Sequence, residues 1–143
     1  MTDDLTILGS RGWAVVTSLT LAPDPAAVRQ ARCFARTCCA AARLEPSALD
    51  TVVLLTSEAV TNAFVHGRSD ARLTVTIVGN WVLVEVGDDN SRHPRPVDVD
   101  DEALDGRGLL LVSGLANKWG VRDEPIGKTV WFEVRSAERA LPG

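Results

Sequence analysis

The chain has 143 residues, of which 45% are hydrophobic and 24% charged, and a formal net charge of -4. That length suits one domain with an ordinary core, and the composition excludes a disordered chain. The acidic balance argues against direct nucleic-acid binding, which needs clustered Lys and Arg.

The opening Met1-Thr2-Asp3-Asp4 is acidic, and no long apolar run follows it. No signal peptide is expected there. Residues 1–12 read as a polar lead-in to a single domain over 13–136, with 137–143 as a flexible tail. Trp13 to Leu21 alternates and is rich in Val and Thr, which predicts a strand. Ala22-Pro23-Asp24-Pro25 then breaks the chain, with Asp24 as the expected helix N-cap and Pro25 as the first helical residue. The helix should run to about Arg43, with Val28, Ala31, Ala35, Cys38, Cys39 and Ala42 on its apolar face. Its three cysteines, Cys33, Cys38 and Cys39, lack C-x-x-C spacing and have no histidine placed to share a metal. They fit a reduced, cytoplasmic protein that uses them as small core residues.

Glu45-Pro46-Ser47 separates this helix from a second one that begins near Ser47 and stops at His66-Gly67. Leu49, Val52, Val53, Thr56, Val60 and Ala63 share one broad face of it. Glu58 and Asn62 lie on the opposite side, one turn apart, with His66 a further turn on. Leu54, Leu55 and Val65 flank that line, so the helix should be buried nearly all round. A buried carboxylate needs a partner. A metal ion carrying a polyanionic ligand would supply one, and so would simple access to water or a loop.

Ala71–Val78 and Trp81–Val86 form two period-2 strands joined at Gly79-Asn80, a hairpin signal. Asp88 follows the second strand. Residues 88–105 hold Pro94, Pro96 and an acidic run, and read as a long loop. A short helix over Leu109–Ala116 follows Gly106-Arg107-Gly108, and two strands over Trp119–Arg122 and Thr129–Arg135 close the chain. No segment approaches the about 18 uninterrupted apolar residues of a membrane span. The four tryptophans, Trp13, Trp81, Trp119 and Trp131, all fall in strands, where packing is their ordinary use.

Gly106-x-Gly108 before a helix suits either a tight turn or an anion held by backbone amides. It is no dinucleotide fingerprint, because Leu111 stands where the third glycine belongs. Gly127-Lys128-Thr129 is no Walker A end, because Arg122 replaces the first glycine and a strand follows.

Ser57 to Gly67, S-E-A-V-T-N-A-F-V-H-G, resembles the N box of the GHKL (Bergerat-fold) ATP-binding superfamily, and is most similar in wording to the anti-sigma-factor serine/threonine kinases. The resemblance extends over roughly residues 13–135. It implies a two-layer α/β sandwich with a mixed, mostly antiparallel sheet and helices on one face. It implies ATP and Mg²⁺ as cofactors. Glu58 would be the catalytic carboxylate and Asn62 the metal ligand, with His66 beside the nucleotide. Asp88 would bind the adenine amino group, Gly106, Arg107, Gly108 and Leu109 would hold the phosphates, and Thr129 would support the adenine pocket. The implied partners are a sigma factor and a small antagonist protein, and a homodimer is compatible with the resemblance. One departure stands out. The superfamily's Asp-x-Gly-x-Gly is Asp88-Asp89-Asn90-Ser91-Arg92 here, without either later glycine. That departure favours a second reading, an ATP-binding module that sequesters a partner without turnover. A detached histidine-kinase catalytic domain fits less well, since the chain has no room for a phosphoacceptor hairpin.

Overall fold

A computed structural model describes residues 2–7, 13–67, 69–88 and 115–137. The elements are β1 Thr2–Ile7, β2 Trp13–Leu21, α1 Ala27–Ala41, α2 Pro46–Gly67, β3 Ala71–Val78, β4 Trp81–Asp88, β5 Lys118–Asp123 and β6 Lys128–Arg135. Period-2 burial writes the sheet. Ala71, Leu73, Val75 and Ile77 of β3 are buried, and their alternates are half-buried or exposed. Val82, Val84, Val86 and Asp88 of β4 repeat the pattern. The register sets Val86 between Leu73 and Val130, and Val84 between Val75 and Phe132, so the apolar rows face one way. The strand order is β1-β2-β3-β4-β6-β5, and every described pairing is antiparallel.

Both helices cover that apolar face, α1 over β2 and β3, α2 over β3, β4 and β6. The result is a two-layer α/β sandwich, antiparallel throughout its described strands where a mixed sheet was expected. Ala27, Ala31, Ala35 and Cys39 recur every fourth residue along α1, and this line of small side chains lets α2 approach closely. Phe34, Val52, Leu55, Val60 and Phe132 fill the space between the layers. Each such side chain contributes about 1.5–3 kcal/mol by leaving water. Val28, Cys38 and Ala42, expected on the buried face of α1, are only partly buried, and Cys33 is exposed.

Several local expectations are corrected. Thr2–Ile7 is not a patternless lead-in but the edge strand β1, paired from Thr2↔Ser18 to Ile7↔Trp13. Its charged Asp3 and Asp4 suit an exposed edge, which charge keeps from pairing with other chains. Asp24 is not the N-cap of α1. Its Oδ1 accepts from the Ala26 N–H at 2.7 Å, and its carbonyl accepts from the Ala27 N–H at 2.9 Å. The aspartate thus closes a turn around Pro25, and the helix begins after it with Ala26 as a cap that offers no side-chain bond. At the far end the Arg43 N–H donates to Ala40 and the Leu44 N–H to Cys39, the Schellman pattern. Arg43 takes the left-handed position at φ 62, where glycine is usual.

The Gly79-Asn80 hairpin forms as expected. Positive φ at Gly79 alone, at 60, matches a type II′ turn. Its Asn80 holds the end of β6. The Asn80 side chain donates to the Ser136 carbonyl, and the Ser136 N–H donates to the Asn80 carbonyl. On the open face of the sheet Trp81 lies under the Arg135 guanidinium, and Trp131 lies flat against Gly120. Pro46–Val65 is long and apolar enough, by length and composition, to cross a membrane. Here much of that stretch is core, packed on α1 and the sheet. The predicted short helix over Leu109–Ala116 lies outside the described residues except at Leu115 and Ala116, where Leu115 is helical.

Candidate nucleotide site

One end of the sandwich collects the predicted site. Residues 68–70 are all that joins α2 to β3, so the last turns of α2 sit beside Ala71. Ala71 pairs with Asp88, which places the end of β4 at the same edge. The start of β6 follows, because Gly87 pairs with Thr129 and the next step brings Lys128 opposite Asp88. Asp123 of β5 pairs with Lys128 in turn. A row Ala71, Asp88, Lys128, Asp123 therefore crosses the sheet on its helix-covered side.

Asp88 is buried, at 9% exposure, and continues the inward alternation of Val82, Val84 and Val86. It rests on Gly127. A Cβ added there would collide with Asp88 Oδ1 and come within 2.5 Å of the Asp88 carbonyl oxygen. Gly127 also has φ +74, a conformation that side chains resist. The glycine is thus required twice, by its backbone and by the carboxylate it supports. Lys128 is half-buried beside these groups. Burial pushes its ammonium below the usual lysine range, and the Asp88 and Asp123 carboxylates pull it back up.

Glu58 and Asn62 are half-buried on α2. The helix is not covered all round, because Leu54 and Val65 are exposed. Glu58 and Asn62 border that open stripe, so they meet solvent more than the sequence pattern implied. Thr56, expected on the core face, is fully buried with its hydroxyl unpartnered among the described residues. The Thr61 hydroxyl donates back to the Ser57 carbonyl at 2.8 Å, an in-helix bond that removes it from competition for a ligand. Gly106, Arg107, Gly108 and Leu109 lie outside the described residues, and so does the side chain of His66.

Thr129 lines one cavity with Asp88 at this end of the sheet. Strand alternation sends it to the open side with Gly87, where a Cβ on Gly87 would meet its Oγ1 at 3.1 Å. There it joins a polar cluster. Arg122 donates to Glu124 at 2.8 Å and to Glu85 at 3.0 Å. The Arg122 guanidinium, and after it the Thr129 hydroxyl, hold the Glu124 carboxyl below the usual range. This cluster, Arg72 and Asp88 line a cavity of about 430 Å³. A second, apolar groove of about 570 Å³ lies between β2 and α1 and is lined by none of the described predicted site residues.

Sequence reasoning passed over Lys128. Its signal was present: Val130, Phe132 and Val134 are the apolar positions of β6, and counting back by two reaches Lys128 rather than Thr129.

Residues 21–134 match the family model of the histidine kinase-like ATPase domain. The chain belongs to the histidine kinase-like ATPase domain family. No curated protein matches it. Among solved structures it is similar to the crystal structure of the RsbU and RsbW domains of Rv1364c from Mycobacterium tuberculosis, at TM-score 0.67 and 20% identity. The match covers 89% of this chain and 34% of that one, so this chain spans about a third of its neighbour. At that identity the likeness is one of fold. Within this histidine kinase-like ATPase domain, the donor set suits a magnesium nucleotide. The Asp88 carboxylate is an acceptor, the chemistry an amino group needs, and Gly127 puts no side chain against it. Asn62 offers one neutral oxygen, and Mg²⁺ beside phosphates needs few protein ligands.

Proposed function

We propose that the protein is an ATP-binding regulator of the anti-sigma-factor kind, a Mg-ATP-dependent serine/threonine kinase that phosphorylates a small antagonist protein and sequesters a sigma factor. The observation that supports this reading is the buried Asp88, seated on Gly127 at the end of β4. Asp88 accepts from the adenine amino group. Asn62 ligates Mg²⁺, which offsets phosphate charge when bound. Glu58, one turn before Asn62, orients or deprotonates the attacking serine hydroxyl. The reading of Gly106 to Leu109 as phosphate holders rests on the family resemblance, and the cytoplasmic location on the cysteine pattern.

The test is transfer of radiolabel from the terminal phosphate of ATP to a purified candidate antagonist, with Glu58→Gln in parallel. The variant should bind ATP and lose transfer by at least ~100-fold, the scale of a general base. The missing glycines after Asp88 favour a second reading, ATP binding without turnover. ATP binding by the wild type without transfer to any candidate would replace the kinase with that module.

A further inference from the structure

Lys128 is a charged side chain with no part in the functions assigned above. It stands on the helix-covered side of β6, between the carboxylates of Asp88 and Asp123. It is half-buried, so its hydrogen-bonding capacity has consequences. An ammonium has three donors and no acceptor. The two flanking carboxylates can take one each, and a third can serve a ligand at the Asp88 end of the row. Gly127, immediately before it, puts no side chain into that space.

We propose that Lys128 reads the base beside Asp88, donating a hydrogen bond to the N1 position of adenine while Asp88 accepts from the adjacent amino group. The proposal rests on the ATP reading above and deepens it. The pairing of one acceptor with one donor is complementary to adenine, whose amino donor lies next to the N1 acceptor. Guanine reverses both, with a carbonyl where the amino group was and an N–H at N1. Asp88 would then face an acceptor, and Lys128 would face a donor. Both mismatches fall in a half-buried site, where unpaired groups are costly. Discrimination against guanine is therefore shared between two side chains, and Lys128 is the one that senses N1.

The probe is 1-deaza-ATP, which keeps the amino group and replaces N1 by C–H. Its affinity and that of ATP are measured by calorimetry on the wild type and on Lys128→Met. The wild type should bind ATP about tenfold or more tightly than 1-deaza-ATP, the scale of one charge-assisted hydrogen bond. In Lys128→Met the two nucleotides should bind equally, with ATP reduced to the level of the analogue. Equal binding of both nucleotides by the wild type overturns the proposal while leaving the ATP reading intact. A preference for ATP that persists in Lys128→Met overturns it as well. Failure of the wild type to bind ATP at all overturns the ATP reading and this inference together. Lys128→Ala is measured beside Lys128→Met with the same expectation, so that the assignment to Lys128 stands on whichever variant folds.

Discussion

Replacing Gly127 by alanine separates two costs that usually arrive together. The residue has φ +74, and a Cβ in that left-handed region costs about 1–2 kcal/mol. The added methyl group would also stand within 2.5 Å of the Asp88 carbonyl oxygen and still closer to its Oδ1. Backbone cannot yield as a flexible side chain does, so an overpacking cost of about 1–3 kcal/mol adds to the first. Gly79→Ala supplies the control. Its φ is +60, but nothing lies within 4 Å of its Cβ position, so only the backbone cost applies. The change in unfolded-chain entropy is common to both variants and cancels in their difference. Urea unfolding of the two should show Gly127→Ala less stable than Gly79→Ala by about 1–3 kcal/mol. Calorimetry should also show ATP affinity reduced in Gly127→Ala and unchanged in Gly79→Ala, because only the former moves Asp88. Equal stability losses, or unaltered ATP binding by a folded Gly127→Ala, would refute the reasoning that this glycine supports the carboxylate.

Arg43→Gly should raise stability by about 1 kcal/mol in the same unfolding assay, since glycine relieves the left-handed strain at φ 62 while the Schellman bonds are kept. Asn62→Ala should fold and yet bind Mg-ATP more weakly in calorimetric titration; affinity equal to wild type would remove Asn62 from the metal site. The Cys39 thiol is pushed up to about 12 by burial first and Cys38 second. A folded-state pKa raised above the unfolded one gives stability that is present below the unfolded value and lost as pH climbs to the folded one. Stability should therefore fall between about pH 8.5 and 12, and Cys39→Ala should flatten that slope. Under native labelling at pH 8, the exposed Cys33 should be alkylated well before Cys39.

How legible the fold was depended on how strongly each segment repeats. β3 alternates cleanly between apolar and mostly polar positions, β2 is rich in Val and Thr, and the predicted limits of both coincide with the strands observed. α2 shows a long helical period ending in glycine, and its start moves only to Pro46. β1 was missed because Asp3 and Asp4 break the apolar alternation of a strand that needs only one neighbour. The start of α1 was misplaced because an aspartate before proline suits both a helix cap and the turn that precedes one. Phe34 escaped the predicted apolar face because alanine and cysteine dominate that helix.

The site divides in the same way. Glu58, Asn62 and Asp88 could be read from a motif and a strand end, and the fold brings α2 and β4 to one edge. Thr129 was read from the order of a motif and lines a cavity with Asp88, whereas the parity of β6 is what sets Lys128 on the same face as Asp88. Parity can be counted from Val130, Phe132 and Val134, but only once the facing of the strand is known. Gly127 could not be read at all as the seat of Asp88, because the contact spans two strands and depends on the carboxylate's position.

The central claim is that Asp88 holds the adenine of a bound ATP. Calorimetric titration of Mg-ATP into the wild type and into Asp88→Asn, with folding of both verified by circular dichroism, tests it directly. The wild type should bind, and the variant should lose about tenfold or more, because an amide replaces a charged acceptor. No binding by the wild type, or equal affinities for the two proteins, would contradict the account.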